Sequence, residues 1–72
     1  MCIKIHNINS ESGIIVEQIC DLLMLKFSST ISFISDNIYN YDIEIDHTRV
    51  VPFMLRFFHK IDNAEYERIE II

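Results

Sequence analysis

The sequence predicts a small α+β domain in which a three-stranded sheet packs against helices. Residues 2–6 and 42–46 alternate apolar and polar side chains, the period of a half-buried strand. Residues 47–61 instead follow the period of a helix, and their apolar side chains fill an arc of about 200°. Because the 72 residues include one glycine, one proline and no low-complexity run, we expect one domain over 1–72 without a linker.

The N-terminal part is expected to form a hairpin followed by a helix. Ile3 and Ile5 face the core from the first strand, and a polar turn follows it. Residues 13–17 hold a β-branched run, which predicts a second strand that returns antiparallel. Residues 18–27 change to a helical period. The apolar side chains that share one face of this helix are Ile19, Cys20, Leu23, Met24 and Phe27.

Two leucines of this helix, Leu22 and Leu25, fall outside the apolar face and lie beside polar residues. One interpretation is a short helix that its neighbours enclose on two sides. The other is an exposed apolar pair, which would be a contact site.

The middle of the chain is ambiguous. Ser28, Ser29 and Thr30 suit a helix N-cap, yet residues 30–35 fit a strand as well as a helix. Residues 36–41 are typical of a loop, and 42–46 form the third strand with alternate isoleucines inward. The three large side chains of the presumed loop are Ile38, Tyr39 and Tyr41. They either bind a partner, since tyrosine is enriched at interface hot spots, or fold back on the sheet.

The last helix is expected to cover residues 48–61, with His47 or Thr48 as its cap. Pro52 is placed in its first turn, where most amides have no acceptor within the helix. The alternation at 68–72 predicts a short C-terminal strand, with a helical extension as the alternative.

Composition excludes several classes of function. The net charge of −5 argues against nucleic acid and against an anionic membrane surface. No apolar run approaches the length of a membrane span, and we expect no signal peptide. Two cysteines suit a reducing cytoplasmic or nuclear compartment. Half of the residues are apolar, including 15 isoleucines, more than a small core hides, so we expect a protein partner.

The residues that carry catalysis or bind metals are sparse. Cys2, Cys20 and the three histidines contain no pair at zinc-ligand spacing. Cys20 lies on an apolar helix face, away from any activating base, and one glycine cannot build a phosphate loop. We therefore expect no enzyme activity, no metal, no cofactor and no small-molecule substrate.

The order of elements resembles the core of the BTB/POZ superfamily, in its Skp and elongin C branch. Residues 3–5 and 13–16 look like the opening hairpin of that family, and 29–35 like the segment that opens its second helix. Residues 42–45 and 49–60 resemble its third strand and following helix, including the aromatic end. The resemblance runs over about residues 2–63 and favours a helix at 29–36.

This resemblance implies a truncated adaptor that binds a cullin-type ubiquitin-ligase subunit; in a virus it would compete with the host adaptor. The loop at 36–41 corresponds to a region of cullin contact, although it is shorter than in Skp adaptors. Leu22 and Leu25 correspond to a region where many BTB domains dimerise. Leu55 and Phe58 would meet either the earlier helices of this chain or the C-terminal helices that longer adaptors possess. The alternatives are a self-associating homodimer without a ubiquitin role and a remnant of a longer protein.

Overall fold

The computed structural model describes all 72 residues. The chain runs strand, helix, strand, strand, helix, strand. The elements are β1 (Cys2–Asn9), α1 (Ser10–Leu22), β2 (Phe27–Ile31), β3 (Ile38–Glu44), α2 (His47–Lys60), a 3₁₀ turn (Asn63–Glu65) and β4 (Arg68–Ile71).

The four strands form one antiparallel sheet in the order β2-β3-β1-β4. Each helix joins two strands that have a third strand between them, which is the ferredoxin-like, split βαβ arrangement. One core joins the sheet to both helices. Its buried side chains are Ile3, Ile5, Ile8, Val16, Ile19, Cys20, Tyr41, Ile43, Ile45, Phe53, Phe57 and Ile61. The α+β class is thus confirmed, but the sheet has four strands where three were expected.

The first strand is confirmed and extends beyond residue 6 through a β-bulge. The register of β1 against β3 shifts between Ile5 and Ile8, where Asn7 adopts a φ of 55°. The extra residue reverses the alternation, so Ile8 points into the core although it is three positions after Ile5. A prediction that requires strict alternation therefore ends the strand at residue 6, although it continues to Asn9.

The predicted strand at 13–17 is wrong, because these residues belong to α1. Asn9 caps the helix, and its side chain accepts a hydrogen bond of 2.9 Å from the amide of Ser12. The buried positions of α1 then recur at helical spacing, from Ser12 through Val16 to Cys20. The β-branched run 14–16 is thus helical. Strand β1 forms no hairpin with these residues and pairs with β3 and β4 instead.

The predicted helix at 18–27 ends at Leu22, five residues early. Met24 takes a left-handed φ of 58°, the amide of Leu25 donates to the Cys20 carbonyl, and that of Met24 donates to the Asp21 carbonyl. This pair of bonds is a Schellman motif, which turns Leu25 inward against the core. Glycine usually occupies the left-handed position, so the sequence gives little sign of this helix end.

The predicted helix at 29–36 is also wrong, since residues 27–31 form β2 and pair with β3. The alternation of residues 30–33 fitted either structure, and hydrogen bonding to a distant strand decides between them. The loop expected at 36–41 is shorter as well, because β3 begins at Ile38. The predicted strand at 42–46 is confirmed over 42–44, and Ile45 is buried just beyond it.

The C-terminal half follows the sequence most closely. The helix at 48–61 is confirmed as α2, and the C-terminal strand at 68–72 is confirmed as β4. Asp46 is the N-cap, and it accepts side-chain hydrogen bonds from Thr48 and Arg49. Pro52 is the sixth helical residue and so lies in the second turn, where the first turn was expected.

Helix α1 meets the sheet most closely where Gly13 faces Tyr41. A Cβ atom at position 13 would lie 2.7 Å from the Tyr41 hydroxyl oxygen, closer than real Cβ contacts. The Tyr41 side chain cannot easily move, because it is buried and donates a 2.7 Å hydrogen bond to the Glu17 carboxylate. Burial raises the pKa of the Tyr41 hydroxyl, and the bond to Glu17 raises it further, so the hydroxyl stays a donor.

We expect Gly13→Ala to lower the free energy of unfolding by about 1 kcal/mol. Overpacking costs about 1–3 kcal/mol, which exceeds the gain of about 1 kcal/mol in helix propensity. In a Tyr41→Phe background the closest atom is absent, so the same substitution should cost less. Urea unfolding of the four proteins in this cycle measures the difference, and an equal cost in both backgrounds would contradict the proposed contact.

The buried Cys20 thiol makes stability depend on alkaline pH. Burial raises the pKa of Cys20 from 9.0 to about 12, with the Glu17 carboxylate adding to the shift. Above pH 9 the unfolded chain releases this proton and the folded chain keeps it, so stability falls as pH rises toward 12. The expected slope from this group is about −1.4 kcal/mol per pH unit. Urea unfolding between pH 8 and 10.5 should show a shallower decline for Cys20→Ala than for the Cys2→Ala control.

Candidate protein-interaction surface

The sheet face opposite the helices is polar, and most of its charges are paired. Lys4 lies 3.6 Å from the Asp42 carboxylate, and His6 Nε2 lies 2.6 Å from that of Glu70. Hydrogen bonds from His6 and then Arg68 hold the pKa of Glu70 below its usual value. A depression of about 420 Å³ on this face has two lysines and two carboxylates, so it offers a ligand little net charge. Its lining residues are Cys2, Lys4, Lys26, Phe27, Ser28, Asp42 and Glu44.

The helix layer, in contrast, exposes large apolar side chains. Val51, Leu55 and Phe58 of α2 are 64%, 66% and 58% exposed. Their spacing of four and three residues aligns them along one side of the helix, and we call them the outer stripe. Phe53 and Phe57, on the opposite side, fill the core. Helix α2 is therefore apolar on two sides, and the fold covers one of them.

A groove of about 270 Å³ runs between the two helices. We call it the helix groove, and its lining residues are Ile15, Gln18, Ile19, Leu22, Arg56 and Lys60. Its apolar wall comes mainly from α1, where Leu22 is 65% exposed. Arg56 and Lys60 supply positive charge from α2. The groove thus combines apolar contact with two cationic groups.

The two cations of the helix groove have no acidic partner. Neither Arg56 nor Lys60 forms an ion pair, and Arg56 donates one hydrogen bond of 3.1 Å to the Pro52 carbonyl. Helix α2 holds three of the six Lys and Arg residues and none of the eleven Asp and Glu residues. Because Arg49 is paired with Asp46, the unpaired positive charge of this helix lies in the helix groove.

Three of the seven residues that the sequence marked as protein-binding are exposed on the helix layer, and they lie on two separate surfaces. Leu55 and Phe58 lie in the outer stripe and Leu22 lies in the helix groove, beside Arg56. Leu25 is only partly exposed, because the end of α1 turns it against the core.

The remaining three lie in β3, where a loop was expected. Tyr41 is buried, Tyr39 packs partly against the core, and Ile38 is half-buried, so they fold onto the sheet. Sequence reasoning missed Ile15, Arg56 and Lys60. The run of cations without acidic residues in α2 was the one signal that could have found two of them.

Comparison of the chain with protein-family models, characterised proteins and solved structures finds no match. Neither helix has the length and apolar character needed to cross a lipid bilayer. No three His, Cys, Asp or Glu side chains come together in an arrangement that could hold a metal ion.

A polar substitution in the outer stripe should leave the fold intact. We expect Leu55→Gln to change the free energy of unfolding by less than about 0.5 kcal/mol, because Leu55 is exposed and glutamine suits a helix equally well. The control Phe53→Ala, at a fully buried position of the same helix, should cost about 3–5 kcal/mol. Urea unfolding compares the two variants. If Leu55→Gln lowered the free energy of unfolding by more than about 2 kcal/mol, Leu55 would be a residue that stabilises the fold.

Proposed function

We propose that the protein is a protein-binding module without catalytic activity, which binds through the helix groove and the outer stripe. The occupant we propose is a segment of another protein that carries apolar side chains together with acidic ones. The observation that carries the proposal is the presence of one exposed leucine, Leu22, beside the two unpaired cations Arg56 and Lys60 in the helix groove.

The apolar part of this surface supports binding by burial. A Leu or Phe side chain that moves from water to a buried site gains about 1.5–3 kcal/mol, in proportion to the apolar area that becomes buried. Leu22, Leu55 and Phe58 are each more than half exposed, so they retain most of this free energy for a partner. They lie on helices, whose backbone is already ordered, which lowers the entropic cost of binding.

The charged part supports selectivity for an acidic segment. Arg56 and Lys60 stand at the edge of apolar surface, where a carboxylate of the partner would be partly shielded from water. A basic partner would meet like charge there and would bind poorly. Outside α2 the chain carries three Lys and Arg residues against eleven Asp and Glu residues, so an acidic partner would be attracted to α2 more than to the other elements.

The cullin-type partner is a narrower proposal that comes from the family resemblance. Residues 13–16 and 29–35, which carried part of that resemblance, have other secondary structures in this fold. Its remaining support is the exposed end of α2 from Leu55 to Lys60. We also propose a reducing compartment, in which Cys2 and Cys20 remain the free thiols that they are here.

We expect the double variant Arg56→Glu/Lys60→Glu to bind the partner at least tenfold more weakly than the wild type. Affinity capture from cell lysate with the wild type, this variant and an Arg68→Glu control identifies the proteins that depend on the helix groove. Arg68 lies on the other face of the sheet, so that control should retain them.

Calorimetry on the recovered protein then gives Kd at two salt concentrations, and binding should weaken as salt rises. The same proteins recovered with the double variant, at equal affinity, would overturn the proposal. Recovery of groove-dependent proteins without any ubiquitin-ligase subunit would overturn only the cullin-type identity.

A further inference from the structure

Strand β2 leaves one side of its backbone without partners. It pairs only with β3, and all five of its residues are exposed. The amide of Glu44 donates to the Lys26 carbonyl, and the amide of Ser32 donates to the Ile38 carbonyl. In an antiparallel pair the hydrogen-bonded positions alternate, so the backbone N–H and C=O groups of the even-numbered β2 residues point toward β3. The N–H and C=O groups of Phe27, Ser29 and Ile31 therefore point away from the sheet.

The two edges of the sheet differ in protection. Strand β4, at the other edge, carries the charges of Arg68 and Glu70, which discourage pairing with a second chain. Strand β2 carries no charge and no proline, and the chain stays uncharged from residue 27 to residue 35. Side chains that would block pairing are thus absent from the β2 edge.

We propose that β2 pairs antiparallel with β2 of a second copy of this chain, across a twofold axis at Ser29. This register places Phe27 opposite Ile31 of the second copy and Ser29 opposite itself. Because the unpaired groups lie on residues 27, 29 and 31, all three pairs are hydrogen-bonded, with about six new N–H···O bonds in total. An axis at Ser28 or Thr30 would place at the dimer axis backbone N–H and C=O groups that are already hydrogen-bonded to β3. The result is one continuous eight-stranded sheet.

Apolar side chains on the helix side of β2 favour the same dimer. Phe27, Ile31 and the nearby Ile14 of α1 are 39%, 61% and 58% exposed. Two further apolar side chains, Ile34 and Met24, lie just beyond the two ends of β2 and are 66% and 84% exposed. Pairing of the strands would bring this apolar surface of one copy against that of the other.

The size and charge of the contact suit a second copy. A standard interface takes about 800 Å² from each partner, and a buried aromatic side chain supplies about 150–250 Å². The fully exposed Phe33, just beyond the strand, adds to the five side chains above and brings the apolar area to that order. Lys26, the one charged residue of the paired segment, meets Ser32 of the second copy, so no like charges oppose each other.

The test is the mass of the protein in solution with one backbone variant. Light scattering at about 100 µM, above the micromolar Kd of a modest interface, should give twice the 8.6 kDa of the chain. Ser29→Pro removes the outward N–H at the axis without touching β3, so it should give a folded monomer. Ser29→Ala keeps that N–H and should remain a dimer. Circular dichroism confirms that both variants are folded.

Amide exchange locates the interface in the wild type. The amides of Phe27, Ser29 and Ile31 should be protected at high concentration and exchange at least tenfold faster on dilution to the monomer. Those of Ser28 and Thr30, which face β3, should be protected at both concentrations. A monomer at 100 µM, or a dimer that survives Ser29→Pro, would overturn the proposal. Neither result bears on the helix groove, which lies on other elements.

Discussion

Helix α1 lies close against the sheet where Gly13 has no side chain and Tyr41 crosses beneath it. The Tyr41 hydroxyl is held by Glu17, one helical turn along α1, so the same contact fixes both the depth and the rotation of the helix. This rotation turns Val16, Ile19 and Cys20 into the core. The same rotation places Ile14 near the β2 edge and Leu22 in the helix groove. Both the β2 edge and the helix groove therefore depend on how α1 is rotated.

Charge is distributed unevenly over this fold, and that distribution separates its surfaces. The open face of the sheet pairs lysine, histidine and arginine with carboxylates, which leaves little field for a ligand. Helix α2 keeps its cations without acidic neighbours in the groove, next to apolar side chains. The β2 edge has almost no charge. A polar face, a basic apolar face and a neutral edge therefore offer three different kinds of contact on one small domain.

Sequence patterns predicted some of the apolar residues of the proposed binding surface because the helices carry more apolar side chains than one buried side can hold. Leu22 lies outside the apolar face expected of its helix, and Leu55 and Phe58 belong to an apolar arc of α2 that is wider than one buried side. Such residues remain exposed when the helix packs on one side. Tyr41 failed as a contact residue because a loop was assumed where β3 begins, and a strand turns alternate side chains inward. The groove cations depend on the distance between two helices, which no local pattern contains.

Local sequence patterns specify the α+β class, the strands near both ends of the chain and helix α2. These elements are periodic enough that the burial of one face specifies them locally. Local patterns do not show that 13–16 is helical, that α1 stops at Leu22 or that 27–31 is a strand. These outcomes depend on residues distant in sequence: the contact of α1 with Tyr41, the docking of Leu25 on the core, and the hydrogen bonds from β3. The Asn9 cap adds a local contribution to the start of α1. Local propensity there is balanced, and the packing of distant residues breaks the balance.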